Sequence, residues 1–243
     1  MVINENRARL HTQTITRTTE DFKLANRIAT YTLFIFPTIF LASVLLQPFA
    51  EPKWMFLDTL AAAEYAPDCC HVYYGLVSNM GLLLWTGTAA VCLLMGLVVL
   101  SVDKQDPFTR FALSAGSLTA WIAIDDMFLV HEKVFPAVGV PQTLVIISYM
   151  VLAGLYVLTS WKYIFRQQWW MLALGAIALA SSIFIDLVFH SLDAYLVYLE
   201  DSAKFFGIVC WSIFHFLTTF NHFHNQFTLQ VNIAKTEPLD TDQ

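Results

Sequence analysis

The stretch IDDMFLVHE, residues 124–132, places Asp125, Asp126, His131 and Glu132 among residues that are otherwise apolar. Carboxylates and imidazoles in such surroundings can hold protons, ligate a divalent cation or, with a metal, activate water. The same residue types return further along the chain as Asp186, His190 and Asp193, as Glu200 and Lys204, and as His215 and His222, with Asn79 preceding them all. What they can do together depends on the segments that carry them.

Those segments read as membrane spans. The 243 residues are 57% apolar and only 13% charged, about half the charged share of an ordinary soluble domain. Six apolar runs approach or exceed the roughly 20 residues that a helix needs to cross a bilayer: 28–50, 73–102, 111–130, 143–165, 169–189 and 203–223. The expected fold is therefore all-α, a polytopic transmembrane bundle of six spans. Residues 1–26 read as a polar cytoplasmic leader, 27–226 as the transmembrane domain and 227–243 as a cytoplasmic tail. The first apolar run is too long for the core of a cleavable signal peptide.

Positive charge sets the orientation, because basic loops stay on the cytoplasmic side. Arg7, Arg9, Arg17, Lys23, Arg27, Lys104, Arg110, Lys162, Arg166 and Lys235 fall on one side of the six spans, and Lys53, Lys133 and Lys204 on the other. Both termini are expected inside, in a plasma (inner) membrane. No basic cluster or recognition motif points to nucleic acid. The bilayer is the main expected partner, a proton or small cation the expected ligand, and a homo-oligomer stays open.

With this topology the acidic groups gather beneath the outer surface. At 1.5 Å per residue, Asp125 and Asp126 lie roughly 20–25 Å along span 3, still inside the hydrocarbon layer. Asp186 on span 5, Asn79 on span 2 and Lys204 on span 6 reach a similar depth. Spacing defines the faces: Ser114, Asp125 and Glu132 share one on span 3, Ser182, Asp186, His190 and Asp193 one on span 5, and Glu200, Lys204, Trp211, His215 and His222 one on span 6. Buried charge in a bilayer is costly, so these seams are expected to face one another, with Lys204 as the counter-ion of Asp186 or Asp125.

Three functions fit that cluster. The first is binding or translocating protons or a divalent cation through Asp125, Asp126, Asp186, Lys204, His215 and Asn79. The second is a metal-dependent membrane-embedded hydrolase acting on a lipid, its divalent ion of unspecified identity held by Glu132, His131, His190, Asp193 and Glu200; Asp186 and His190 at i,i+4 carry that reading, and no H-E-x-x-H motif supports it. The third is a structural or assembly subunit in which the same groups only hydrogen-bond across helices.

Overall fold

In lipid a backbone amide has no water to turn to, so a chain this apolar satisfies its hydrogen bonds within helices. The computed structural model describes residues 2–68, 70–189 and 193–236. Among them there is no strand, and the molecule is 85% helical, an all-α polytopic bundle. Helix α1 (Val2–Leu46) is followed by two short helices, α2 (Pro52–Phe56) and α3 (Thr59–Tyr65), in the connection to α4 (Leu76–Val102). Next come α5 (Pro107–Phe128), a π-helical turn over Val130–Val134, the single turn α6 (Phe135–Ala137), α7 (Gln142–Ile164), α8 (Trp169–Phe189) and α9 (Ala194–Thr236).

Five of these helices are long and apolar enough to span: Phe22–Leu46 within α1, all of α4, α7 and α8, and Ala194–Thr228 within α9. The sixth candidate is α5 with the segment Val130–Ala137, bent by 61° at the junction. Helix α1 runs unbroken from Val2 through the polar leader into the first span. At 45 residues it is roughly 68 Å long, more than twice the hydrocarbon thickness.

Helix α9 is the axis of the bundle. Two-thirds of its apolar window is buried, against 17% for the windows of α1 and α8. Its inward residues Ile208, Cys210, Phe214 and Leu217 meet Trp85 and Cys92 of α4 and Phe111 and Ala115 of α5 in one core. The outer faces display Leu83, Leu94, Leu97, Leu158, Ile177 and Phe184, an apolar coat suited to acyl chains. Lipid offers no hydrophobic drive between helices, so close backbone approach matters, and small residues supply it. A Cβ on Gly175 of α8 would stand 2.9 Å from Cys210 Cβ and 3.1 Å from the carbonyl oxygen of Gly207 on α9.

Span 3 departs from the straight helix expected through residue 130. It stops at Phe128 because Leu129 takes a left-handed conformation (φ 48°), a rare geometry for a side chain that crowds its own carbonyl. The chain then turns through the π-helical segment into α6, with Val134 and Phe135 right-handed helical ahead of Pro136. Glu132 therefore does not prolong the face of Ser114 and Asp125. The short helices α2 and α3 lie at the same end of the bundle, with Phe56 fully buried and its ring tilted against Tyr198 of α9 at 5.1 Å between centroids. We call this the loop end, and the opposite one, where α1 begins and α9 finishes, the termini end.

A methyl group at Gly175 is expected to cost about 1–3 kcal/mol through overpacking of α8 on α9. Thermal unfolding in detergent of Gly175→Ala should show a lower midpoint, while Gly154→Ala, where nothing lies within 4 Å of the added carbon, should match or exceed the parent.

Candidate functional site at the loop end

The two neighbouring aspartates of α5 look in different directions because successive helical residues are rotated by about 100°. Asp126 faces α9. Its Oδ1 lies 2.6 Å from Lys204 Nζ, and both side chains are largely buried, at 8% and 25% exposure. Asp125 faces α7 and the chain's own return. It is 4% exposed and accepts from the Tyr149 hydroxyl (2.9 Å) and from the backbone N–H of His131 (2.8 Å) through Oδ1. Its Oδ2 accepts from His131 Nδ1 at 2.6 Å.

The left-handed turn at Leu129 is what brings His131 back onto Asp125. On an uninterrupted helix a separation of six residues would leave the two on different faces. With Nδ1–H given to Asp125, the other ring nitrogen, Nε2, lies 3.5 Å from Glu132 Oε1. Gln142 at the start of α7 donates to Asp186 Oδ2 (3.1 Å), and Lys133 bridges to Glu64 of α3 at the exposed rim (2.9 Å).

Around the buried ion pair the charge is strongly one-sided. Asp58, Asp126 and Asp201 act electrostatically on Lys204, and Asp58 also accepts from the hydroxyl of Ser78. Glu132 and Glu200 lie within electrostatic reach of each other, of Asp58, of Asp186 and of Lys204. Val77, Ser78, Gly81, Asp126, Asp201 and Lys204 line a cavity of about 10 Å³, close to the least that can hold one water.

Several expected groupings change. Lys204 takes Asp126 as its partner, not Asp186 or Asp125, because α9 packs behind the face of α5 that bears Asp126. Asp125 and Asp186 are each bonded to α7, through Tyr149 and Gln142, seven residues apart on that helix. Asn79 is exposed and exchanges hydrogen bonds with Thr59, tying α3 to α4. Asp193 caps α9 by accepting from the Tyr195 N–H (3.0 Å). His190 lies outside the described residues. Among the described residues no three His, Cys, Asp or Glu side chains are grouped so as to hold a metal ion.

His215 does not join the cluster. It is fully buried, its Nδ1 lies 2.7 Å from the Trp211 carbonyl oxygen and its Nε2 2.9 Å from the Tyr156 hydroxyl. A carbonyl can only accept, so Nδ1 carries a proton, and Nε2 is paired with the Tyr156 hydroxyl. Trp211 in turn donates to Thr119 (2.9 Å) and sets its ring against Trp85. In the described conformation this buried layer of Trp85, Thr119, Tyr156, Trp211 and His215 separates the loop-end acids from the termini end.

Asp58, Asp201 and Tyr149 belong to the site and were not singled out by spacing. Asp201 was within reach of that reasoning, since it precedes Lys204 by three residues on a helix that begins at Ala194. Asp58 sits in a connection that carried no periodic signal, and Tyr149 was one tyrosine among several in apolar spans.

Residues 32–218 match the model of a domain of unknown function, DUF8692, which is more than half of the chain. The chain belongs to that family. No curated protein and no solved structure matches it. The matched region of this DUF8692 member contains every group of the loop-end cluster, from Asp58 to Lys204.

Removing one partner of a buried ion pair strands the other charge. Lys204→Met and Asp126→Leu are each expected to destabilise the bundle by about 3 kcal/mol, whereas the double variant should recover most of the loss. Chemical denaturation of the three variants beside the parent measures that coupling directly.

Proposed function

We propose that this membrane protein binds protons in the loop-end acid cluster and exchanges them with the aqueous phase on that side. The observation that carries this reading is the charge balance: Asp58, Asp201, Glu132 and Glu200 surround a lysine already engaged by Asp126. A crowd of like charges in an apolar setting cannot all stay ionised, so it retains protons or gathers cations. Protons are favoured over a divalent ion because they need no preformed ligand set.

The Asp125–His131 pair, with Glu132 beside it, gives the cluster a titratable group at its edge, 16% exposed at the imidazole. Traffic through the whole membrane has less support, because buried His215 and its aromatic neighbours stand between the acids and the termini end. The basic residues Lys23, Arg27, Lys104, Arg110, Lys162 and Arg166 accompany the termini end, which favours a cytoplasmic position for it and an external one for the acids, in a plasma membrane.

Combining Glu132→Gln with Glu200→Gln tests the reading by potentiometric titration of purified protein. The parent is expected to take up about one proton more per molecule than the double variant between roughly pH 5 and 8. Superimposable titrations over that interval would contradict proton binding by these groups.

A further inference from the structure

The His215 layer closes the bundle only while α7 stays seated, and α7 is held by a narrow stripe. Its apolar window is 22% buried. Ile147, Val151, Leu155, Leu158 and Trp161 face outward, and a carbon added at Gly154 would meet nothing within 4 Å. The inward face repeats every seven residues as Tyr149, Tyr156 and Tyr163. Such a repeat keeps one seam of a helix toward its neighbours.

Each hydroxyl of the stripe meets an ionisable group. Tyr149 donates to Asp125 Oδ1 of α5 at 2.9 Å, while on α9 the Tyr156 hydroxyl lies 2.9 Å from His215 Nε2 and that of Tyr163 3.4 Å from His222 Nδ1. The last two pairs share a sequence separation of 59, so α7 and α9 run parallel in one register. Beyond the first rung Asp125 holds His131, and beyond the third the other ring nitrogen of His222 lies 3.6 Å from Asp106 Oδ2. Rungs seven residues apart stand about 10 Å apart along a helix, so the line from Asp125 to His222 covers roughly 20 Å of a ~30 Å hydrocarbon layer.

The seat is easy to leave. Hydrogen bonds between membrane helices are individually weak, and close packing of small residues does more. Helix α8 has that packing, through Gly175 against Gly207 of α9. On α7 the glycine faces outward, and within the seat Ser160 is 4% exposed with no hydrogen-bond partner for its Oγ.

We propose that α7 is a gate: when its tyrosines leave their partners, water enters along the uncovered line and protons pass between the two ends of the bundle by way of Asp125, His215 and His222. For its cargo this rests on the proton binding argued above. Carboxylates and imidazoles at successive depths are the groups a proton relay uses, each taking up a proton and handing it on, so that every group returns to its starting state. Both ends of the line have an outlet. His131 is 16% exposed at the loop end, and His222 and Tyr163 line a cavity of about 360 Å³ at the termini end.

Full-length protein in liposomes that enclose a pH-sensitive dye, driven by a potassium diffusion potential, tests the gate. The parent is expected to conduct protons slowly, and Tyr156→Phe, which keeps the ring and removes the hydroxyl, about threefold faster, the size of one such hydrogen bond. Tyr31→Phe, on an exposed face of α1, should match the parent. Adding His215→Leu to Tyr156→Phe should return the flux to that of protein-free liposomes, and because both partners become apolar no buried polar group is stranded. Equal rates in the parent and Tyr156→Phe, or a raised rate that survives His215→Leu, would overturn the gate. Neither result alters the titration difference expected for Glu132→Gln with Glu200→Gln, so a failed gate is told apart from failed proton binding.

Discussion

A charge within a bilayer must find a partner or give up its charge, and the loop end of this bundle is arranged around that demand. Lys204 and Asp126 satisfy it mutually at 2.6 Å, joining α9 to α5 where neither helix has a small-residue seam with the other. Asp125, one residue earlier, satisfies it with a tyrosine on α7 and with its own chain returning through His131. Two adjacent residues thus bind opposite flanks of the bundle. The short helices α2 and α3 complete the enclosure, with Asp58 reaching Ser78 and Glu64 reaching Lys133.

The break after Phe128 is the device that makes this possible. A helix continuing straight would carry His131 and Glu132 out along the rim, away from Asp125. Left-handed Leu129 and the π-helical turn store some strain and widen the helix, a combination that recurs at functional sites in other proteins. The hydrogen bonds from His131 to Asp125 hold that turn in place. A change in charge on either partner would act on the bend as well as on the acid cluster.

The helical spans were legible because bilayer thickness and backbone satisfaction leave little choice for runs as apolar as 73–102 or 169–189. The gathering of acids at one end was legible too, from depth and spacing. The pairing was not. Spacing says which residues share a face, but the neighbour of that face depends on how α5 sits between α9 and α7, and a rotation of one residue exchanges Asp125 for Asp126 as the partner of Lys204. The left turn at Leu129 left no mark in a run of apolar residues, so the Asp125–His131 contact could not be foreseen. His215 shows the converse: a histidine aligned with Lys204 on α9 lies outside the acid cluster, buried between Tyr156 and the Trp211 carbonyl.

Infrared spectroscopy of the protein in lipid at neutral pH reaches the central claim most directly, because protonated and ionised carboxyl groups absorb differently. A protonated carboxyl band is expected in the parent, and it should diminish when Glu132 and Glu200 are replaced by glutamine. A spectrum with ionised carboxylates only, unaltered by those replacements apart from the lost carboxylate signal, would contradict it.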